Sequence, residues 1–157
     1  MKKKQIPFLA SVLVALLIVL GIGGFYGGVS FLIDPWQKGT MGIPLSILDG
    51  MFVQNFALPG LFLLIVMGVI PIILVFGLIF RPIWKSTDRL TGWSNRHWSW
   101  TGSLILSIVL ILWLGFQILV MKSEKLYPPQ IATGVLGFIL LFVTLLPPVS
   151  NFYRKQG

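Results

Sequence analysis

The chain contains no cysteine, and it has few charged residues for its length. The missing thiols exclude disulfide bonds, thiolate metal sites, iron–sulfur ligation and a cysteine nucleophile. Charged residues make up only 10% of the 157 residues, whereas a water-soluble domain carries about 25%. Hydrophobic residues make up 56%, so too few charges remain to cover a soluble surface. The composition therefore predicts that lipid surrounds most of the protein.

Long stretches without an ionisable side chain predict where the chain crosses a bilayer. Four such runs cover residues 8–26, 58–80, 98–121 and 131–147. A helix rises about 1.5 Å per residue and the hydrocarbon layer is about 30 Å thick, so about 20 residues cross it. Each run must be helical, because a backbone in lipid has to satisfy its own hydrogen bonds. The sequence predicts an all-α membrane protein, a four-transmembrane-helix bundle that forms one membrane domain.

The basic residues are divided unequally between the two ends of this predicted bundle. Nine lie in the N-terminus, the basic loop 81–97 and the C-terminus, and the other three are Lys38, Lys122 and Lys125. Because lysine and arginine concentrate on the cytoplasmic side of a membrane, we expect both termini in the cytoplasm. The long loop 27–57 is then outside and caps the outer end of the bundle.

The net charge of +8 fits either a nucleic acid or an anionic membrane surface as a partner. The cytoplasmic charges are split among separate pieces of chain, which disfavours nucleic acid. In a helical projection of the inner loop, the basic residues of its first half share one face. The candidates for lipid headgroup contact are Arg81, Lys85, Arg89 and Arg96. Each basic residue contributes about 1 kcal/mol of binding free energy near an anionic leaflet. The simpler alternative is that these residues only determine the membrane topology.

Small residues at four-residue spacing predict where membrane helices approach closely. Gly23 with Gly27, and Gly24 with Gly28, form two overlapping pairs in the first run. We expect these pairs to pack inside the bundle, although a self-association face would give the same pattern.

Three residues inside the predicted spans are candidates for lining an intramembrane cavity. Pro71 lacks an amide donor and is expected to kink the second span. Gln117, one turn after Trp113, is expected to form a single interhelical hydrogen bond. The functional alternative places Pro71, Trp113 and Gln117 around a cavity for an uncharged or amphipathic substrate. No ionisable residue lies within the spans, which disfavours ion-coupled transport.

The reactive residues outside the spans are few. His97 lacks an orienting carboxylate and further metal ligands, and we expect it to be a solvated interfacial side chain. Asp34 and Asp49 precede Pro35 and Gly50, which is typical of turns, although a carboxylate pair at the outer surface is the alternative. The sequence predicts no catalytic constellation, no metal site and no cofactor.

The outer loop 27–57 is long enough to require an explanation. Its later part is apolar and should fold back onto the outer ends of the spans. The segment "PLSILDGMF" forms either a short helix beginning at Pro44 or an extended piece that pairs with "VSFLI". Asp34, Trp36 and Asp49 are the candidates for contact with an outside partner.

Several motifs resemble those of small, largely uncharacterised four-span bacterial integral membrane proteins with an extended outer loop. They are "FLIDP" with a downstream "MGIPLSIL", "LPGLFLL", "HWSW" followed by "LW" and "FQ", and "LLPPV". The resemblance implies a location in the bacterial cytoplasmic membrane and supplies no activity.

The leading hypothesis from the sequence is a non-enzymatic integral membrane protein, an accessory or lipid-contacting subunit. Its expected partners are membrane lipids, together with a second copy of the chain or another membrane protein. The alternative is a small transporter or lipid-handling protein for an uncharged or amphipathic substrate. A third hypothesis is an enzyme that acts at the outer surface through Asp34 and Asp49.

Overall fold

A computed structural model describes residues 6–49, 53–84, 87, 91–120 and 128–155. In this part of the chain, four helices are long and apolar enough to cross a membrane. They are α1 (Phe8–Ile33), α2 (Ala57–Phe80), α3 (Trp98–Val120) and α4 (Pro128–Leu145). A short helix, α5 (Pro147–Phe152), follows α4. The described residues contain no strand, which confirms the prediction of an all-α four-helix bundle.

Each long helix packs against its neighbour in the sequence, and α1 also packs against α4, so the four helices form a closed ring. The connection between α1 and α2, residues 34–56, lies at one end, which we call the loop end. Residues 81–84, 91–97 and 146–155 meet at the opposite end, where the His97 amide donates to the Tyr153 carbonyl. We call this the basic end. The core between them is lined mainly by leucines, including Leu13, Leu17, Leu78, Leu110 and Leu140.

Helix α1 continues to Ile33, beyond the predicted end of the first span at Tyr26. The segment "VSFLI" is therefore helical, and the prediction that it pairs as an extended strand is wrong. The helix ends at Asp34 because Pro35 follows, and a proline disfavours the helical conformation in the residue before it. The loop end consequently consists of residues 34–56 rather than 27–57.

The loop end folds back onto the bundle, as its apolar residues predicted. Phe31, Leu48 and Phe56 form a small second core, in which the rings of Phe31 and Phe56 stack with centroids 4.8 Å apart. The Phe56 amide also donates to the Pro35 carbonyl over 2.9 Å. The helix predicted at Pro44 is a single 3₁₀ turn, Leu45–Leu48. The remaining predicted residues of that segment, 50–52, lie outside the described residues.

Helices α1 and α2 bring their backbones into close contact at two glycines. A Cβ added at Gly24 would overlap the backbone carbonyl group of Met67, and one at Gly28 would lie 2.6 Å from the Leu64 nitrogen. A Cβ at Gly23 would have nothing within 4 Å. Of the two predicted glycine pairs, Gly24 with Gly28 therefore forms the helix interface.

Pro71 accounts for the irregular middle of α2. Residues Leu63–Val69 form a π-helix, and the regular helix resumes at Ile70 with Pro71 in its first turn. Proline cannot donate to the carbonyl four residues earlier, that of Met67, and its ring crowds the same group. A wider turn relieves this crowding, and such π segments distort helices. The Met67 carbonyl is also the group that abuts Gly24, so the distortion lies where α1 approaches most closely.

Candidate functional site

The C-terminal segment holds the basic end together by pairing with the residues that precede α3. Arg96 and Arg154 form an isolated antiparallel bridge. The His97 amide donates to the Tyr153 carbonyl over 2.8 Å, and the Lys155 amide donates to the Asn95 carbonyl over 3.2 Å. These bonds place α5 directly beside the start of α3.

Arg81 connects the end of α2 to this C-terminal segment. Its backbone is left-handed, with φ of 50°, a conformation that costs a residue with a Cβ roughly 1–2 kcal/mol. The guanidinium carbon lies 3.8 Å above the centre of the Phe152 ring and 4.9 Å from that of Tyr153. The Tyr153 hydroxyl in turn donates to the Leu78 carbonyl over 3.2 Å. Cation–π contacts therefore hold the positive charge of Arg81 against the C-terminal segment.

Arg96, two residues before α3, contacts the same segment. Its Nε donates to the Ser150 carbonyl over 3.0 Å, and its Nη2 lies 3.3 Å from the Ser150 hydroxyl. The guanidinium carbon lies 4.5 Å above the Trp100 ring. Trp100 is itself fixed, because its Nε1 donates to the Thr144 carbonyl over 2.9 Å. Arg96 is thus held on two sides.

The basic end carries several positive charges and no described carboxylate. Arg81, Arg96, Arg154 and Lys155 all belong to it, whereas the two acids among the described residues, Asp34 and Asp49, belong to the loop end. Lys85 and Arg89, the other two candidates for headgroup contact, lie outside the described residues. Burial raises the pKa of Tyr153, and the charge and hydrogen bond of Arg81 oppose that rise.

His97 is a structural residue of the basic end, and its ring is only partly exposed. Its ring is partly buried, with Nε2 3.1 Å from the Pro82 carbonyl and Nδ1 2.7 Å from the Ser99 hydroxyl. A carbonyl only accepts, so Nε2 carries the proton. The Trp98 Nε1 donates to the same Pro82 carbonyl over 3.0 Å. His97 and Trp98 together connect the start of α3 to the chain that follows α2.

Ser150, Phe152 and Tyr153 were not predicted as site residues. The sequence offered one signal, the "PP" pair at residues 147–148 followed by "FYR". The two prolines end α4 and begin α5, and the aromatic and basic residues that follow resemble an interfacial segment. Only the structure shows that these residues receive the side chains of Arg81 and Arg96.

At the loop end, Asp34 organises a tight turn. Its carboxylate accepts from the amides of Lys38, Gly39 and Thr40 at 3.0–3.1 Å. It also accepts from the Thr40 hydroxyl over 2.9 Å. These bonds, led by that from the Lys38 amide, lower the pKa of Asp34 from 3.8 to about 2. Both carboxylate oxygens thus serve their own turn, while Trp36 and Asp49 are exposed.

We expect the turn to depend on the charge of Asp34. A group whose pKa is lowered by folding contributes stability above its unfolded value, and it loses that contribution as the pH falls through the folded value. Asp34 therefore loses its stabilising contribution as the pH falls from 3.8 to about 2. In nuclear magnetic resonance spectra, the amide shifts of Gly39 and Thr40 should titrate with a midpoint near pH 2.

The matched variants for this prediction are Asp34→Asn and Asp49→Asn, which remove one charge each from the same loop. Asp34→Asn should abolish the low-pH titration of the Gly39 and Thr40 amides, and Asp49→Asn should leave it in place. A midpoint near 3.8 in the unmodified protein would contradict the assigned role of Asp34.

An apolar groove lies between α2 and α3 towards the loop end, with a volume of about 420 Å³. Trp113 forms part of its wall and stacks on Phe62 with ring centroids 4.1 Å apart. Pro71 and Gln117 do not line it; Pro71 is buried and Gln117 is partly buried. Among the described residues, the Gln117 amide has no hydrogen-bond partner, so the predicted interhelical bond is not formed there.

The structure thus gathers two of the predicted headgroup contacts, Arg81 and Arg96, around α5. Of Trp113, Pro71 and Gln117, only Trp113 lines the apolar groove, and Asp34 lies in a turn of its own. No protein-family model, no curated protein and no solved structure matches this chain.

Proposed function

We propose that the protein is a non-enzymatic integral membrane protein that contacts anionic lipid through its basic end. One observation carries the proposal. Two guanidinium groups are fixed against aromatic rings and α5, at an end where the described residues include no carboxylate. In this role the protein is an accessory or lipid-contacting subunit.

Fixed like charges repel one another, and a negative partner relieves that repulsion. The phosphates of a lipid headgroup provide such a partner, and arginine binds phosphate through two parallel N–H donors. The guanidinium of each arginine is already oriented by its ring contact, so less conformational entropy is lost when a headgroup binds.

The side chains around the basic end support a position of this end at the membrane–water interface. Trp84 and Trp93 are exposed there, as is Ile83, and Trp84 stacks on Trp98 with ring centroids 4.9 Å apart. Tryptophan is enriched where the hydrocarbon layer meets water. Apolar side chains also remain exposed along the four long helices, among them Ile22, Ile73, Leu112 and Phe142.

The proposal includes a location and an orientation. The excess of lysine and arginine at the basic end favours the cytoplasmic side for that end and for both termini. The resemblance in sequence adds the bacterial cytoplasmic membrane. A second copy of the chain or another membrane protein is the proposed partner besides lipid.

We favour contact with lipid over the hypotheses of a transporter and of an outer-surface enzyme. The carboxylate of Asp34 stabilises its own turn, and both ring nitrogens of His97 bind groups of the protein. The groove that a carrier would use is apolar, and it is lined by neither Pro71 nor Gln117. Of the three residues predicted to line the cavity of a carrier, only Trp113 therefore lines the groove.

The test is retention of lipid by the full-length protein purified from mixed micelles that contain equal amounts of phosphatidylglycerol and phosphatidylcholine. Native mass spectrometry should find phosphatidylglycerol retained preferentially. Arg81→Gln and Arg96→Gln should each reduce that preference by about fivefold, the factor that corresponds to one basic contact.

Lys38→Gln is the matched control, since it removes one positive charge from the loop end. Its lipid preference should equal that of the unmodified protein. Equal retention of the two lipids by the unmodified protein would contradict the proposed function.

A further inference from the structure

We propose that the basic end binds one lipid whose headgroup carries two phosphates, with one phosphate at Arg81 and the other at Arg96. This inference rests on the proposed contact with anionic lipid and names the lipid class. A diphosphatidylglycerol fits this description.

The two arginines contact different residues of the C-terminal segment. Arg81 covers the ring of Phe152, and Arg96 binds the carbonyl and hydroxyl of Ser150. Arg81 also lies 4.9 Å from the centre of the Tyr153 ring, so its contacts are further along the C-terminal segment than those of Arg96. Two positive groups are therefore attached to this segment at separate points.

Each guanidinium keeps donors for a ligand. Arginine has five N–H donors in one plane. Arg96 uses one on Nε, one on Nη1 towards the Ser94 carbonyl at 3.5 Å, and one on Nη2. One donor remains on each terminal nitrogen. Arg81 presents its flat face to Phe152 and forms a hydrogen bond with the Tyr153 side chain, which leaves its other donors for a phosphate.

The backbone conformation of Arg81 supports a role in ligand binding. Its left-handed conformation, at the end of α2 and directly before Pro82, is unfavourable for a residue with a side chain. Such strain persists where the surrounding structure enforces it, and it is frequent at ligand clamps. Here it accompanies a side chain that lies against α5.

The number of positive charges at the basic end favours a headgroup with two phosphates over a headgroup with one. Arg154 is exposed, follows Tyr153 directly and is paired with Arg96 across the antiparallel bridge. It adds a third positive charge to the turn between the two anchored arginines. A headgroup with one phosphate supplies one negative charge to these three positive ones, whereas a headgroup with two linked phosphates supplies one to each anchored arginine.

The experiment compares diphosphatidylglycerol with phosphatidylglycerol, each competing against phosphatidylcholine in mixed micelles at equal total negative charge. Native mass spectrometry of the full-length protein counts the retained lipids. We expect one diphosphatidylglycerol per protein, retained at least about tenfold more strongly than phosphatidylglycerol, because the second phosphate adds a charge-assisted hydrogen bond.

Arg81→Gln and Arg96→Gln should each abolish the difference between the two lipids, because either loss leaves a single anchored guanidinium. Arg81→Lys keeps the charge but loses the planar fork, so it should retain only part of the difference. Lys38→Gln should retain all of it. Circular dichroism and thermal melting of each variant show whether the bundle is intact, and Arg81→Lys and Arg81→Gln decide the question if Arg96→Gln does not fold.

Two negative outcomes are distinguishable. Equal retention of both anionic lipids at equal charge overturns the two-phosphate inference and leaves the proposed function in place. Retention of neither over phosphatidylcholine overturns both.

Discussion

Gly24→Ala should lower the free energy of unfolding by about 3 kcal/mol, at the upper end of the cost of overpacking a core. The added methyl group would overlap the Met67 carbonyl group. This group belongs to the backbone, and it lies in the π-helix next to Pro71, so it cannot move aside as the end of a flexible side chain would. Helices α1 and α2 must separate to accommodate the change.

Gly23→Ala is the matched control for this prediction, because a Cβ at Gly23 has nothing within 4 Å. Alanine stabilises a helix by about 1 kcal/mol relative to glycine, so this variant should be neutral or slightly more stable. Reversible unfolding in detergent micelles by added sodium dodecyl sulfate measures both variants. Equal stability of the two would show that the α1–α2 contact is looser than described.

Trp100→Ala should lower the free energy of unfolding by about 4 kcal/mol, as expected for a large aromatic side chain removed from a core. Trp100 is 3% exposed, and its ring supports the guanidinium of Arg96. Its loss would open a cavity and leave the Thr144 carbonyl without the indole donor. The same unfolding assay measures the effect.

Trp93→Ala serves as the control, since Trp93 belongs to the same end and is 70% exposed. It should change the stability in micelles by less than about 0.5 kcal/mol, the usual range for surface substitutions. Trp100→Phe keeps an aromatic ring but loses the indole donor and part of the ring volume, so it should cost less than Trp100→Ala. If Trp100→Ala and Trp93→Ala behave alike, Trp100 does not stabilise the basic end.

The sequence predicted the four long helices because hydropathy over a whole span is a strong, additive signal. It placed the end of the first run at Tyr26, within the glycine-rich stretch Gly21–Gly28, whereas α1 continues to Ile33. In the structure Gly24 and Gly28 are accommodated by contact with α2. The position of that contact depends on a second segment, which the local sequence does not reveal.

The site was predictable in part for a similar reason. The charge of Arg81 and Arg96 and their position next to spans are visible in the sequence. Their contacts with Phe152 and Ser150 join segments far apart in the chain, and single side-chain contacts of this kind leave no periodic pattern. Pro71 and Gln117 were grouped with Trp113 by depth alone, and depth does not specify which way a side chain points.

The contacts of α5 impose an order on biosynthesis. The carbonyls of Ser150 and Tyr153 accept from the Arg96 side chain and the His97 amide, and both acceptors are translated long after α3. While the ribosome is still producing α4, these two donors have no native acceptor, and water or lipid headgroups must solvate them. Assembly of this end is therefore a late event, completed only after the third helix has been inserted and the final turns have been released.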